Sequence, residues 1–429
     1  MPLLTWKRSL LLIALALFGV AGGFLGAPFG CGSSDQRQIA PPLQPIPQSL
    51  FGLHIHHLTD STPWPAIPFG SWRLWDAYAA WPNLEPQKGH WDFSRLDQYV
   101  SAAQSQGVEV LLPLGLSPAW ASARPTEPSA YGPGNAAEPA NISDWQDYVR
   151  RVAMRYKARI RAYEIWNEPN LPDFFSGKPE TMMRLTREAY KILKEVDDTV
   201  MVVSPSATAS GLPWLDRYLK LGGAQYTDVI GFHFYVTPKR PEAMIDLARR
   251  VKALMTANQV TDKPLWDTEA GWFIENRITK VKPGKGDFNR VLSLNEASAY
   301  VARCYVINWA LGISRFYFYS WDSEVGGLTE EDGKTLKPPA NAYAEVERWL
   351  VGAQMTSCRC SHDTWICGLL RPHYRGWIVW NPERSKPFSI PDTWPVHQLI
   401  DLSGGRRPTQ PGSIVSIGPA PILLESRSL

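Results

Sequence analysis

The sequence lacks a strong net charge. It has 44 Lys and Arg residues against 41 Asp and Glu residues, which gives a formal net charge of +3 over 429 residues. A field this weak does not favour nucleic acid or an anionic surface as a partner. The chain also lacks an internal repeat at the spacing of a solenoid or a propeller. Partner choice must therefore come from a local site.

The first 30 residues have the layout of an export signal. Lys7 and Arg8 precede an apolar run, Leu10–Leu25, so residence in the cytosol is not expected. The run leads to Cys31, and three outcomes stay open: lipid attachment at Cys31 as in a bacterial lipoprotein, an uncleaved membrane anchor, or ordinary cleavage. We expect residues 1–31 to be a signal or membrane-anchor segment and residues 32–48 to be a linker, with the protein in the cell envelope, periplasmic or extracellular.

Cysteine is scarce, with five residues in the chain. An exported chain favours disulfides, and Cys367 paired with Cys358 or Cys360 would close a short β connection. The same cysteines with His362 nearby give only a weak zinc signal, and we expect no metal site.

Tryptophan, in contrast, is abundant, with 19 residues. A Trp is rarely fully buried, and its indole N–H needs a partner. Sugar-binding clefts use such rings as platforms. The alternative for any single Trp is packing in the wall of the fold or between domains.

Short apolar runs alternate with amphipathic stretches from residue 51 to about residue 350, a pattern typical of parallel strands joined by helices. Eight such strands favour a closed (β/α)₈ barrel over residues 49–352, because eight is the number whose interior side chains fill the centre. The predicted strands are Phe51–Leu58, Trp72–Tyr78, Glu109–Leu116, Ile160–Trp166, Val200–Ser204, Val229–Tyr235, Pro264–Thr268 and Arg315–Tyr319.

The character of the sequence changes after about Gly352. Short β-like runs separated by Pro and Gly replace the helical stretches. We therefore predict a small accessory β domain over residues 353–429. Its predicted strands are Trp365–Leu370, Gly376–Trp380, His397–Leu402 and Ile414–Leu424.

Three groups of polar residues follow predicted barrel strands. In this fold, polar residues at the carboxyl ends of strands face the catalytic mouth. The groups lie at the ends of these strands: Tyr163–Asn170 at the fourth, Gly231–Tyr235 at the sixth and Pro264–Trp272 at the seventh.

Two carboxylates in these groups, Glu168 and Glu269, are expected to lie across the mouth from one another. Cleavage of a glycosidic bond needs one carboxyl group that holds a proton and one that is ionised. At a separation of about 5 to 5.5 Å, the ionised group attacks the anomeric carbon directly, and the configuration is retained. The alternative is a pair of salt-bridge residues on the barrel rim.

These motifs resemble a known family. Trp166–Pro169 after the fourth strand, with a Glu that ends the seventh, is similar to clan A of the glycoside hydrolases, and Trp81–Pro86 and Ser117–Trp120 follow that clan's pattern. The run Trp166–Phe175 looks most like family 39, which contains β-xylosidases, α-L-iduronidases and bacterial exopolysaccharide endoglycosidases. The resemblance implies a retaining hydrolase of a polysaccharide or oligosaccharide, with a link to exopolysaccharide.

The resemblance also implies a role for each matching residue. Glu168 matches the general acid/base and Glu269 matches the nucleophile. Asn167 matches the residue that hydrogen-bonds the sugar 2-hydroxyl, a contact that strengthens in the transition state. Tyr235 and His233 match the pair on the sixth strand that orients and tunes the nucleophile.

Three more ring residues are predicted to face the sugar. Trp321, just past the eighth strand, matches an aromatic floor at the cleavage point. His54 and His56 alternate on the first strand, so that both would point into the mouth and bind hydroxyls. The alternative for the two histidines is that this segment is simply rich in His.

Arg73, on the second strand, is predicted to sit beside Glu269 and to hold it ionised by opposite charge. The alternative is an ion pair in the barrel wall with Asp76 or Glu164. Because Arg73–Asp76 departs from the usual ending of the second strand in the family's xylosidases, xylose is not inferred.

The stretch Glu275–Arg290 after the seventh strand holds five basic residues against two acidic ones. A basic lid over the cleft would suit an acidic polysaccharide, and a solvated loop is the alternative.

Two other functions remain as alternatives. An envelope-anchored protein that only binds polysaccharide on an inactive barrel would not need a pair of carboxylates. A transglycosylase would use the same residues and pass the sugar to another sugar rather than to water. None of these functions requires a metal or an organic cofactor.

Overall fold

The computed structural model describes residues 31, 37–277, 281–282 and 289–426. Eight parallel strands form its centre and pair in the order β5-β4-β3-β2-β1-β8-β7-β6. Bridges from Val203 to Val229 and from Ala207 to Phe232 join β5 to β6, so the sheet closes into the predicted barrel. The strands are β1 (Phe51–Leu53), β2 (Ser71–Arg73), β3 (Glu109–Leu114), β4 (Ala162–Ile165), β5 (Met201–Val203), β6 (Ile230–Phe232), β7 (Leu265–Ala270) and β8 (Ile313–Phe318).

All eight predicted strands are present, but several end earlier than predicted. The first pairs only as far as Leu53 and the second only as far as Arg73. Beyond β2 the backbone takes positive φ at Asp76 and Tyr78, 56° each, a conformation that strand pairing does not allow. The residues left over at these carboxyl ends build the mouth.

Helices surround the barrel. In α4, the residues Met182, Leu185, Ala189 and Leu193 recur every three or four positions and are buried, as expected for a helix with one apolar face on the strands. The helices are α1 (Trp81–Leu84), α2 (Ser94–Ser105), α3 (Ile142–Arg155), α4 (Pro179–Val196), α5 (Leu212–Lys220), α6 (Met244–Ala257), α7 (Leu294–Ala310) and α8 (Pro338–Leu350).

The accessory β domain is built on an antiparallel sheet of seven strands and a separate pair, Lys386–Ser389 with Ile414–Ile417. The predicted run Ile414–Leu424 is therefore two strands, because residues 418–421 turn the chain between them. The strand Gln354–Ser361 was not predicted. In sheet order the seven strands are Arg37–Ile39, Gln354–Ser361, Thr364–Arg371, Tyr374–Trp380, Ile422–Glu425, Gln398–Ile400 and Arg406–Pro408.

The prediction of a linker over residues 32–48 is wrong for its described part. Arg37–Ile39 pairs antiparallel with Cys358–Cys360 at the edge of the sheet. Ile46 is buried and donates its backbone N–H to Ala353 O at 2.9 Å. A short edge strand is held by backbone hydrogen bonds, so a polar composition did not reveal it.

Two disulfides hold this sheet. Cys367 pairs with Cys358 across neighbouring strands, and Cys31 pairs with Cys360. The Cys31 sulfur is thus bonded to the Cys360 sulfur, and an atom in a disulfide cannot also carry a lipid. Cys304 is free and buried.

The predicted apolar run Leu10–Leu25 lies outside the described residues. Among the helices that the structure describes, none combines the length and the hydrophobicity of a membrane span.

Candidate active site

Glu168 lies just beyond β4 in a tightly folded segment. Trp166 and Glu168 both adopt positive φ, at 65° and 46°, which is costly for residues other than glycine and is found where surrounding contacts enforce it. Two hydrogen bonds hold the segment. The Trp166 indole N–H donates to Phe174 O at 2.8 Å, and the Glu168 backbone N–H donates to Ser206 O at 3.0 Å. The segment therefore presents the Glu168 side chain in one orientation.

Glu269 lies on β7 itself, near its carboxyl end. Gly271 follows at a point where the loops after β7 and β8 approach closely, and a Cβ there would lie 2.1 Å from Tyr319 O. Only glycine permits this approach. Both glutamates are buried, with 8% exposure for Glu168 and 7% for Glu269.

The two carboxyl groups face one another. One oxygen of Glu168, one oxygen of Glu269 and one ring nitrogen of His233 all lie within 4.8 Å of one another. Inverting enzymes keep their carboxyl groups about 6.5 to 9.5 Å apart to admit a water, and retaining enzymes about 5 to 5.5 Å apart. The separation fits direct attack with retention.

The surroundings of Glu168 favour its protonated form. Burial raises the pKa of Glu168 to about 7, with Arg73 opposing the shift and Asp76 and Glu164 adding to it. His233 Nδ1 lies 2.9 Å from Glu168 Oε1. Burial lowers the pKa of His233 to about 4, so the imidazole is neutral at neutral pH and forms an ordinary hydrogen bond rather than an ion pair.

Glu269 has cationic and hydroxyl partners instead. Arg73 Nη1 donates to Oε2 at 2.7 Å, and the Tyr235 hydroxyl donates to Oε1 at 2.8 Å. Burial raises the pKa of Glu269, while His233 and Arg73 act against the shift. Two donors, one on each oxygen, stabilise the ionised carboxylate that a nucleophile requires.

The two residues predicted on the sixth strand contact different glutamates. Tyr235 binds Glu269, whereas the hydrogen bond of His233 goes to Glu168. His233 is fully buried and Tyr235 only partly.

Arg73 makes both of the contacts that the sequence offered as alternatives. It is fully buried, and besides Glu269 it donates from Nε to Glu164 Oε2 at 2.6 Å. Its third nitrogen, Nη2, donates to Asn167 Oδ1 at 2.7 Å. This contact orients the Asn167 amide so that its NH₂ group remains to donate to a ligand.

His54, His56 and Trp321 are buried beside this network. Arg73 Nη1 lies 3.1 Å from His54 Nε2, and because a guanidinium only donates, Nε2 accepts and the His54 proton sits on Nδ1. His54 Nδ1, His56 Nε2 and Trp321 Nε1 have no hydrogen-bond partner within the described part of the chain. All three are buried polar atoms that the described protein leaves unsatisfied.

Sequence reasoning missed a cluster around Asp76. The Tyr131 and Tyr319 hydroxyls donate to its two oxygens, at 2.7 Å each. Asp76 thus does not pair with Arg73, the partner proposed for it. A second carboxylate, Asp322, accepts the backbone N–H groups of residues 56 and 57 at 2.8 and 3.0 Å and holds the loop after β1.

In the described part of Glu275–Arg290, Arg290 is paired, whereas the Arg277 side chain is 72% exposed and Lys282 is also exposed. Arg290 Nη2 lies 2.5 Å from Glu296 Oε1, and the Arg277 backbone N–H donates to Glu330 at 3.0 Å. Lys280 and Lys285 lie outside the described residues.

Glu168, His233 and Glu269 also form the one group of three potential metal ligands among the described residues. A carboxylate ligand must be deprotonated, whereas Glu168 keeps its proton up to about pH 7. Metal binding and acid catalysis therefore compete for the same groups.

Comparison with known proteins relates the barrel to one family. Residues 71–270 match the model of glycosyl hydrolases family 39, a range that holds both glutamates, Arg73, Asn167, His233 and Tyr235. The chain is 22% identical over 208 residues to a β-xylosidase of Geobacillus stearothermophilus, covering 42% of this chain and 41% of that protein. It is 28% identical over 198 residues to a β-xylosidase of Caldicellulosiruptor saccharolyticus, covering 41% and 40%. The match thus spans about two fifths of the length of these relatives.

Solved structures share the fold over nearly the whole chain. A family 39 glycoside hydrolase from Bacteroides cellulosilyticus superposes with a TM-score of 0.70 at 19% identity, covering 89% of this chain and 81% of that one. A family 39 β-xylosidase from Caulobacter crescentus gives 0.62 at 15% identity, covering 91% and 98%. The chain is thus similar to glycosyl hydrolases family 39 over residues 71–270, just under half of its length, which include both glutamates.

Proposed function

We propose that this protein is a retaining glycoside hydrolase, with Glu168 as general acid/base and Glu269 as nucleophile. The observation that carries the proposal is the facing pair of carboxyl groups, with oxygens within 4.8 Å, in two different environments. Glu168 has a pKa of about 7 and a neutral imidazole as partner. Glu269 is held by a guanidinium and a phenol. One group is thus ready to donate a proton and the other to attack.

The reaction takes two steps. In the first, Glu168 gives its proton to the leaving oxygen as the bond from that oxygen to the anomeric carbon breaks, and a Glu269 oxygen bonds to the same carbon. In the second, Glu168, now ionised, takes a proton from water, whose oxygen attacks the anomeric carbon and releases Glu269. The two inversions give net retention.

The remaining side chains bind the sugar at the cleavage point. The Asn167 NH₂ group is oriented by Arg73 and would donate to the 2-hydroxyl, a contact worth more in the transition state than in the ground state. His54 Nδ1, His56 Nε2 and Trp321 Nε1, which lack partners in the described chain, would serve other hydroxyls and the ring face.

The substrate is proposed to be a polysaccharide or oligosaccharide. The two relatives compared above are β-xylosidases, which supports a β-linked sugar as the first one to test. A link to exopolysaccharide rests on the predicted export and envelope location. The disulfides Cys31–Cys360 and Cys358–Cys367 support an oxidising compartment, and association with a membrane would come from residues 1–30.

A panel of 4-nitrophenyl glycosides tests the activity and names the sugar. It should contain the β-xyloside, β-glucoside, β-galactoside, α-arabinoside and β-glucuronide, with the anomer of the first product followed by NMR. We expect at least one to be cleaved with retention. Equal rates on matched neutral and uronate substrates would remove the idea of a basic lid.

Variants assign the two roles. Glu269→Gln should lose nearly all turnover of every glycoside while keeping the fold. Glu168→Gln should lose much more activity on a poor leaving group such as methanol than on dinitrophenolate, which departs without a proton. A fully active Glu269→Gln variant would overturn the assignment. Transfer of the sugar to an added alcohol in preference to water would identify a transglycosylase, and sugar binding without turnover would identify an inactive barrel.

A further inference from the structure

Tyr78 is an exposed aromatic residue on the mouth side of the barrel, just beyond β2. Its exposure is 55%, and it is the one aromatic side chain among the large hydrophobic residues that the described structure exposes. Neither the catalytic step nor the binding of the sugar at the cleavage point uses it.

The backbone around Tyr78 is held in a costly conformation. Asp76 and Tyr78 both have φ of 56°, and Ala77 between them is buried at 1% exposure. Two residues with left-handed backbone conformation within a stretch of three are uncommon when neither is glycine. Such a conformation persists where the surrounding structure imposes it, typically at functional sites. Here they turn the Asp76 carboxylate toward the hydroxyls of Tyr131 and Tyr319 and leave Tyr78 at the surface.

A continuous row of rings connects Tyr78 to the catalytic pocket. His54, which contacts Arg73, lies 5.1 Å from the Tyr319 ring, and His56 lies 5.1 Å from the same ring. His57 follows at 6.1 Å from His56 and 6.5 Å from Tyr78. The row begins at the buried ring of His54, passes the Tyr319 ring and ends at the exposed ring of Tyr78. A glycan chain that runs from the catalytic pocket along this row would reach Tyr78.

The Tyr78 ring is fixed from one side. The Arg95 guanidinium lies 5.3 Å from the ring centroid, and Asp60 holds the guanidinium with contacts of 2.8 and 3.2 Å. A ring that is backed by an anchored cation loses little freedom when a ligand stacks on its other face. The Asp60 side chain, 46% exposed, adds a hydrogen-bond acceptor beside the ring.

We propose that Tyr78, with His57 and the Asp60–Arg95 pair, forms an outer sugar-binding site that holds a pyranose ring of a glycan chain away from the cleavage point. An aromatic platform bordered by a paired carboxylate and guanidinium suits a neutral sugar, which offers a CH face for stacking and hydroxyls for the polar pair. The site rests on the proposed glycosidase function and extends it, because only a substrate of several sugars reaches Tyr78.

The test compares chain length in the Tyr78→Ala variant. The one-sugar probe is the 4-nitrophenyl glycoside cleaved in the panel above, and the chain probe is the hexasaccharide of the same sugar, xylohexaose if the sugar is xylose. The measured quantity is the ratio of kcat/KM for the hexasaccharide to kcat/KM for the one-sugar probe. Loss of one stacking contact should lower this ratio roughly 2- to 10-fold.

Two variants serve as controls. Tyr78→Phe keeps the ring and should keep the wild-type ratio. Met154→Ala removes another exposed apolar side chain, 64% exposed, from the outer helix α3, and should also keep the ratio. An unchanged ratio in Tyr78→Ala would overturn the outer site alone. Failure of the wild type to cleave any glycoside would overturn the proposed function, and the outer site with it.

Discussion

Replacing Glu168 with Gln should stabilise the protein at alkaline pH while removing the general acid. Burial raises the pKa of Glu168 from 4.5 to about 7, and unfolding returns the carboxyl group to its ordinary value. Each unit of pKa corresponds to about 1.4 kcal/mol, so ionised Glu168 costs the folded state about 3 kcal/mol near pH 8. Gln has the same shape and carries no such cost.

The sign of this effect fixes its pH window. Between its unfolded and folded pKa values, the native state binds more protons at this site than the unfolded state does, so the wild-type free energy of unfolding falls as pH rises through the window. The gain from Glu168→Gln should therefore be near zero below about pH 4.5 and grow to about 3 kcal/mol near pH 8.

Denaturant unfolding of the wild type and of Glu168→Gln at several pH values measures the difference in the free energy of unfolding directly. The contributions of the other titrating groups are common to both proteins and cancel in the difference. Glu331→Gln, at an exposed position, is the matched control and should change the free energy of unfolding by less than about 0.5 kcal/mol at every pH. A Glu168→Gln protein that is no more stable than the wild type near pH 8 would refute the reasoning.

Three further predictions concern turnover and stability. The kcat/KM should fall above about pH 7 as Glu168 loses its proton, and a pH profile that stays flat to pH 9 would count against its role as the acid. Arg73→Met removes the buried cation from Glu269, and it should lower the free energy of unfolding by about 3–5 kcal/mol and abolish turnover. Its control is Arg303→Met, which removes another fully buried guanidinium outside the mouth and should destabilise the fold but keep kcat. Tyr235→Phe removes the hydroxyl that donates to Glu269 at 2.8 Å and should lower kcat roughly 10- to 100-fold; unaltered kcat would show that this hydrogen bond is not used.

The barrel could be predicted from the sequence because its signal is local. Each strand is a short apolar run, and the run is visible whatever its partner. The carboxyl ends were less predictable, because pairing stops where the backbone turns into the mouth, as at Asp76 and Tyr78. Those turns are imposed by contacts with other strands.

The approach of Glu168 and Glu269 could be predicted for a similar reason. Each lies at the carboxyl end of a recognisable strand, and the fold brings these strand ends together. The partners of Asp76 could not be predicted, since Tyr131 and Tyr319 lie 55 and 243 positions away in the sequence. His233 was assigned to the mouth but not to Glu168, because that contact joins residues 65 positions apart in the sequence.

The N-terminal segment shows the same limit over a longer distance. Cys31 and Cys360 are 329 positions apart, and Arg37–Ile39 joins a sheet whose other strands all come after residue 353. Polar and Pro-rich composition is typical of a linker. Backbone pairing at a sheet edge depends little on side chains, so it left no pattern in this segment.

The central claim is that Glu269 forms a covalent bond to the sugar, and trapping tests it most directly. A 2-deoxy-2-fluoro glycoside with a good leaving group slows both steps but lets the glycosyl-enzyme accumulate, and mass spectrometry of the digested protein locates the adduct. We expect one sugar on the peptide that contains Glu269 and none in the Glu269→Gln variant. A sugar attached to Glu168, or turnover of the parent glycoside with inversion and no adduct, would contradict the account.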